Sequence, residues 1–166
     1  MGRFSRILTS ADVLYVTIQR CLTRGDGAVS EKDYCFELEF GVRDYECDLQ
    51  GIVNNAVYQN YLEHTRHEFL RSVGLDFAGL HERGYDLVVT RCEIDYRGSL
   101  KSGDRFVVRL NAVQESRVRF AFEQDIFRLP DEERVLDSRF IGTCLNARRR
   151  PELTEEIKAA LWGSRE

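Results

Sequence analysis

The chain has 166 residues, a length typical of a single domain that buries its own core. Its 43% hydrophobic and 31% charged residues are ordinary for a globular protein, and its net charge of -4 provides no positive field to hold a nucleic acid. No apolar run approaches the roughly 20 residues of a membrane helix. The five cysteines are odd in number and form no C-x-x-C pair, which indicates reduced thiols in a compartment such as the cytoplasm.

Residues 1–33 are predicted to form an N-terminal extension. Its first 24 residues contain four arginines and one aspartate, a bias found in organelle transit peptides and also in unstructured extensions. We therefore expect a cytoplasmic protein, with a plastid or another organelle as the alternative if this segment is a targeting peptide.

Alternating apolar residues predict five strands, the first of which runs from Tyr34 to Val42. The other four lie downstream, at 88–96, 106–112, 118–126 and 135–145. The connections between these four are short enough for hairpins. The sequence therefore predicts a first strand, a helical segment, and then four antiparallel strands.

One long helix is predicted between the first two strands. Apolar residues recur at three- and four-residue spacing from Val57 to Val73, and Gly74 is a suitable helix terminator. A sheet with two partly apolar faces needs two covers. The helix covers one face, and the other is expected to need a partner chain or the C-terminal helical segment 152–166. The main domain is expected to span residues 34–151.

Three carboxylates at alternate positions, Asp44, Glu46 and Asp48, precede the predicted helix. A calcium loop of the EF-hand type is disfavoured because Leu49 and Asn55 replace its glycine and its bidentate glutamate. Asp44 and Glu46 are interpreted as solvated residues at a strand end. Asp48 is placed close to the helix start, where free N–H groups can hold an oxyanion while a carboxylate activates water or attacks directly.

The helix carries further candidates. Glu63 could reach a substrate beside Asp48, or it could pair with Arg66 or His67. His64 and His67 could share a metal ion, but the sequence offers no third ligand cluster, so no metal is expected.

The stretch "VRDYECDLQGIVNNAVYQNYLEHTRHEFL" resembles the 4-hydroxybenzoyl-CoA thioesterase-like branch of the hotdog superfamily, and "CEIDYRGSLKSGDRFVV" resembles the strands that follow in it. The resemblance implies an α+β hotdog fold, in which a five-stranded antiparallel sheet wraps around one long central helix. It also implies a homodimer or homotetramer with active sites between subunits.

The activity implied by the resemblance is hydrolysis of acyl-CoA or acyl-carrier-protein thioesters in fatty acid metabolism, without a cofactor. The catalytic aspartate of the family falls on Asp48 and its oxyanion-binding amide on Asn55. A different hotdog branch uses a helix glutamate, for which Glu63 is suitably placed. The expected substrate-binding residues are Gly51, Val53, Asn54, Tyr58 and Tyr61.

Arg149 and Arg150 are candidate ligands for a cofactor phosphate, such as those of coenzyme A, because arginine forks suit phosphates. Solvated arginines are the alternative interpretation. A non-catalytic module that binds acyl thioesters is the alternative function, since a fold does not dictate an activity. The presence of Asp48 favours the enzyme.

Overall fold

The structure is a computed structural model that describes residues 16–17 and 34–163. In chain order its elements are β1 (Val16–Thr17), β2 (Phe36–Gly41), α1 (Asn55–Ser72), α2 (Phe77–Glu82), β3 (Asp86–Tyr96), β4 (Arg105–Ser116), β5 (Arg119–Leu129), β6 (Glu133–Leu145) and α3 (Glu155–Trp162). A single 3-10 turn at Asp44–Glu46 lies between β2 and α1.

The strands form one antiparallel sheet in the order β1-β2-β4-β5-β6-β3. Its five long strands and the central helix α1 confirm the predicted α+β hotdog architecture. The two-residue strand β1 adds a short sixth strand beside β2. Apart from β1, the predicted N-terminal extension and its targeting role lie outside the described residues.

Helix α1 forms where the apolar spacing predicts it. Its buried residues share one face and belong to the same core cluster as the inner side chains of the sheet, and they include Tyr58, Tyr61, Leu62 and Phe69. The helix ends at Ser72, two residues before Gly74, which adopts a left-handed φ of 80°. The Leu75 N–H then donates to the Leu70 carbonyl at 2.9 Å, a bond typical of glycine-terminated helices.

The expectation of a hairpin between β3 and β4 is wrong. β3 pairs with β6, whereas β4 pairs with β2, so the connection crosses the end of the sheet. The physical reason is the side chain of Leu100, which is fully buried in the core. Its backbone is also satisfied there, because its N–H donates to the Tyr58 hydroxyl and its carbonyl accepts from the Val53 N–H, both at 2.9 Å.

Of the two covers expected for the second face of the sheet, the C-terminal segment lies elsewhere, and a partner chain stays a prediction. The C-terminal helix α3 contributes Ile157 and Leu161 to the same core as α1. On the outer face, two arginine side chains of the chain itself pack over one buried aromatic ring. Arg109 and Arg134 lie 4.8 and 5.3 Å from the ring centroid of Phe127, which is only 8% exposed.

Helix α2 occupies a region that the sequence treats as a loop. It has six residues, too few to produce a clear helical period. The side chain of Asp76 caps it by accepting from the Gly79 N–H at 2.8 Å, and Leu80 anchors it in the core. No helix within the described ranges is long and apolar enough to cross a membrane.

Candidate active site

Asp48 lies in a tight loop that backbone hydrogen bonds close. Cys47 and Val53 face each other in a β-bridge at its base. Inside it, the Asp48 N–H donates to the Ile52 carbonyl at 2.9 Å, and the Gly51 N–H donates to the Asp48 carbonyl at 3.0 Å. Gly51 has a φ of 75°, which only glycine adopts without strain. The loop thus returns the chain to the start of α1 within a few residues.

The carboxylate of Asp48 is exposed to solvent and is oriented by one local bond. Its Oδ1 accepts from the Gln50 N–H at 2.8 Å, which restricts rotation of the side chain. Its Oδ2 has no donor among residues 34–163, so this oxygen can accept a proton from water or approach a carbonyl carbon.

The start of α1 supplies a free hydrogen-bond donor next to this loop. Asn54 caps the helix, because its Oδ1 accepts from the Ala56 N–H at 2.9 Å and its carbonyl accepts from the Val57 N–H at the same distance. In the part of the chain that the structure describes, the Asn55 N–H has no acceptor. This amide lies at the positive end of an 18-residue helix.

Glu46 is not the solvated strand-end residue that the sequence suggests. It is 8% exposed and lies in the 3-10 turn. Its Oε2 accepts from the Tyr61 hydroxyl and from the Arg43 N–H, both at 2.7 Å. The carboxylate of Glu46 can be buried because the Tyr61 hydroxyl, 15 residues further along the chain, donates a hydrogen bond to it. Asp44 is exposed, as expected, and accepts from the hydroxyl of Ser102.

Tyr58 and Tyr61, two of the predicted substrate contacts, lie under the loop and the helix start. They are 3% and 6% exposed. Burial raises the pKa of Tyr58, and burial together with the hydrogen bond to Glu46 raises the pKa of Tyr61 far above its usual value. Both hydroxyl groups therefore stay protonated, and each takes part in a hydrogen bond that stabilises the fold. A direct contact between these residues and a substrate stays a prediction.

Glu63 lies on the surface of α1, and its Oε1 is 3.9 Å from Nε2 of His67. Burial lowers the pKa of His67, so the imidazole is mostly neutral at pH 7 and the contact is a weak one. Glu63 follows Asn55 by eight residues, about 12 Å along the axis at the usual helical rise. Glu63 therefore lies about two helical turns from the free amide of Asn55.

Within one chain, Arg149 and Arg150 lie at the other end of the sheet. Nη1 of Arg149 donates to Asp86 at 2.7 Å, at the start of β3, and Arg150 is exposed. The last residue of β3, Tyr96, donates through its hydroxyl to the Asn55 carbonyl at 3.2 Å. Ten residue steps along a strand are about 33 Å, so the two arginines of a subunit are far from its own Asn55.

Arg66 is buried, although the sequence suggests for it only a possible pairing with Glu63 on the helix surface. It is 8% exposed, its guanidinium lies 3.9 Å from the ring centroid of Phe140, and its Nη1 donates to Gln124 at 2.9 Å. Burial lowers its pKa to about 10. A signal was present, since Arg66 falls four residues after Leu62 and three before Phe69 on the apolar face of the helix.

Comparison with known sequences identifies the family. The family model described as the thioesterase-like superfamily matches residues 42–161. The chain is 41% identical over 115 residues to the acyl-acyl carrier protein thioesterase ATL3, chloroplastic, of Arabidopsis thaliana, a match that covers 69% of this chain and 60% of that protein. It is 37% identical over 87 residues to a putative esterase of Aquifex aeolicus, covering 52% of this chain and 68% of the relative. The chain thus spans about 60% of the plant relative.

Solved structures share the fold. A 1,4-dihydroxy-2-naphthoyl-CoA thioesterase from Synechocystis superposes with a TM-score of 0.72 at 21% identity, over 76% of this chain and 94% of that one. A hypothetical protein from Aquifex aeolicus superposes with a TM-score of 0.71 at 28% identity, over 76% and 98%. With the family model matched across the Asp48 loop, the central helix and strands β3 to β6, the chain belongs to the thioesterase-like superfamily.

Proposed function

We propose that this protein hydrolyses acyl thioesters, with Asp48 as general base or nucleophile and the Asn55 amide as oxyanion donor. The observation that carries the proposal is the unoccupied Asn55 N–H at the start of α1, directly after the loop that exposes Asp48. Membership of the thioesterase-like superfamily supports the reaction class.

The helix start would stabilise negative charge on the substrate. The thioester carbonyl oxygen accepts from the Asn55 N–H, and the charge that develops on this oxygen is favoured by the positive end of α1. The donor is held in place before the substrate arrives, because Asn54 and the backbone bond from the Asn54 N–H to the Glu46 carbonyl (3.0 Å) fix the first turn. No reorganisation of the protein is therefore needed when the charge forms.

Asp48 would supply the second part of the chemistry. As a general base it removes a proton from water while the water oxygen bonds to the carbonyl carbon; as a nucleophile it forms an anhydride that water then cleaves. In either route the carbon–sulfur bond breaks and sulfur leaves as a thiolate. A thiol with a pKa of about 8.5 is a good leaving group, so no strong general acid is required.

A second copy of the chain would complete the site. β3 is an 11-residue strand at the edge of the sheet, and it exposes Val89 and Tyr96. If two such edges pair antiparallel, Arg149 of the partner subunit comes beside the Tyr96 end of this strand. A phosphate-bearing carrier held at Asn55 could then meet Arg149 and Arg150 of the partner subunit. Sedimentation of the wild type and of Val89→Lys measures this assembly.

The thiol carrier and the location follow only in part from the relatives. The plant relative is named for acyl-carrier-protein thioesters and as chloroplastic. We propose acyl-carrier-protein or CoA thioesters as substrates here, and thiol release from both carriers, measured side by side over a range of chain lengths, distinguishes them. A fusion of residues 1–33 to a fluorescent protein tests whether this segment directs organelle import or leaves the protein in the cytoplasm.

The Asp48→Asn variant tests the catalytic assignment. Its amide oxygen can still accept from the Gln50 N–H, so the loop should keep its shape. We expect kcat to fall by a factor of about 100 or more while the melting temperature is unchanged. The matched control is Asp44→Asn, an exposed carboxylate four residues earlier, which should keep activity near that of the wild type.

The other outcomes are informative. Wild-type kcat in Asp48→Asn would remove this residue from the mechanism, and inactivity of Glu63→Gln alone would transfer the role to the helix. A wild-type protein that binds acyl thioesters without releasing thiol would instead establish the non-catalytic binding module.

A further inference from the structure

We call the surface between α1 and the edge strand β3 the α1–β3 groove. On the helix side, Asn55, Gln59 and Glu63 recur at four-residue spacing, so they form one line along the helix surface. On the strand side, Tyr96 is 48% and Val89 is 51% exposed, which gives the groove an apolar wall. The bond between the Tyr96 hydroxyl and the Asn55 carbonyl joins the two walls at one end.

Arg66 lies beneath this surface, between α1 and strand β6. Its guanidinium stacks over Phe140, which is the register partner of Cys92 on β3, so the charged group faces the edge strand. Gln124 is fully buried and holds the guanidinium through its Oε1, while its own Nε2 donates to the Leu62 carbonyl at 2.9 Å. The amide is therefore oriented by the helix backbone, and it fixes the arginine in turn.

Among the described residues, no carboxylate lies within 4.0 Å of the Arg66 guanidinium, and Glu63, three residues earlier on the helix, acts on its charge only from a longer distance. None of the ion pairs within the described ranges includes it, although many arginines of the protein do contact a carboxylate, as seen for Arg83, Arg105, Arg109, Arg128 and Arg139. Burial lowers the pKa of Arg66 to about 10, so the group is still a cation at pH 7. A guanidinium has five N–H donors, and one bond to a neutral amide leaves most of them available. Burying a cation in this state is costly, and proteins accept such costs mainly at functional sites.

We propose that Arg66 determines substrate specificity by donating hydrogen bonds to an acceptor oxygen on the distal part of the acyl group, whether a hydroxyl, an oxo group or a carboxylate. This inference rests on the proposed thioester hydrolysis. Arg66 follows Asn55 by 11 residues, about 16 Å of helix, and its side chain leans back towards the helix start. The oxygen would therefore lie roughly 10–15 Å from the thioester carbonyl.

The physical basis is the cost of removing water from the guanidinium. An acyl group with a hydrocarbon end displaces that water and returns no hydrogen bond, so its binding is penalised. An acyl group with an oxygen at this depth replaces the lost bonds. Sites that present a buried donor discriminate strongly against ligands that lack the acceptor.

The test compares acyl-CoA thioesters of equal chain length that end in a methyl, hydroxyl, oxo or carboxylate group. For the wild type we expect kcat/KM to favour at least one oxygen-bearing substrate over the methyl form by about tenfold or more. In Arg66→Met this ratio should fall to about one. The matched control is Arg71→Met, which removes an exposed guanidinium that pairs with Glu68 on the same helix and should leave the ratio unchanged.

The Gln124→Glu variant provides a second test that does not depend on the folding of Arg66→Met. It places a carboxylate next to Nη1 of Arg66 and should suppress the preference for oxygen. A wild-type ratio at or below one, or an unchanged ratio in both Arg66→Met and Gln124→Glu, overturns the inference. Thiol release without any preference would leave the proposed hydrolysis standing, whereas no thiol release from any substrate would remove the proposed function itself.

Discussion

The Tyr61 hydroxyl donates a hydrogen bond to Oε2 of Glu46 at 2.7 Å, and this bond joins the central helix to the segment that leads into the Asp48 loop. Glu46 is held a second time through its carbonyl, which accepts from the Asn54 N–H at 3.0 Å. The position of the candidate catalytic carboxylate thus depends on a buried bond between side chains, well below the surface that the substrate would meet.

Tyr61→Phe should destabilise the protein. The substitution keeps the ring but removes a donor from a buried carboxylate, so the free energy of unfolding should fall by about 1–3 kcal/mol, measured by urea denaturation. The control is Tyr45→Phe, since this hydroxyl belongs to a residue that is 77% exposed, and its effect should stay within about 0.5 kcal/mol. Equal effects of the two variants would show that the buried bond contributes nothing.

Gly51→Ala should destabilise the loop through backbone strain alone. An added Cβ at this position would meet no atom within 4 Å, but the φ of 75° is unfavourable for alanine by about 1–2 kcal/mol. Gly41→Ala is a matched control, because a Cβ added at Gly41 would also meet no atom within 4 Å and Gly41 lies in strand β2. We expect a lower melting temperature and lower kcat for Gly51→Ala only. A loop that tolerates alanine would argue against a strained turn.

Substitutions at Asn54 should separate stability from activity. Asn54→Ala removes the helix cap and should cost about 1 kcal/mol of unfolding free energy. Asn54→Asp keeps the cap and adds a favourable charge at the helix start, so stability should be retained. The same charge would oppose an oxyanion at Asn55 and should lower kcat. If thermal melting and thiol-release kinetics change in parallel in both variants, the helix start has no electrostatic role in the reaction.

Protonation of His67 should lower the free energy of unfolding of the protein as the pH falls. Burial lowers the pKa of His67 in the folded state, so the unfolded chain takes up the proton first, near its ordinary pKa of about 6.5. The stability that the neutral imidazole contributes is therefore present above that pH and is lost as the pH falls through the folded pKa. Urea denaturation at pH 7 and pH 5 should show a smaller loss for His67→Gln than for the wild type. An NMR titration of His67 checks the direction of the shift.

Much of the fold could be predicted from local patterns. Apolar residues alternate from Phe36 to Phe40 and recur at three- and four-residue spacing from Val57 to Val73. Each pattern reflects a single buried face, which the strand or the helix presents whatever elements pack around it. Strand order is different, because it depends on how Leu100 packs after the chain has left β3. No pattern within the connection itself distinguishes this crossing from a hairpin.

The candidate site shows the same division. The Asp48 loop and the cap at Asn54 follow from short-range turn and helix chemistry, and both could be located from the sequence. The burial of Glu46 and Arg66 could not, since each depends on one partner far along the chain, Tyr61 in the first case and Gln124 in the second. A charged residue looks solvated in sequence until its distant partner is known.

The bonds that close the Asp48 loop join backbone atoms and the Asp48 side chain, and none of them uses the side chain at its tip. Leu49 is 107% exposed, next to the candidate catalytic residue. Chemical labelling is therefore possible at this position: a cysteine at residue 49 carrying a fluorophore would report on ligand arrival without displacing the carboxylate. For the same reason, substitutions at residue 49 during evolution could change contacts with the thiol carrier without changing the position of the Asp48 carboxylate.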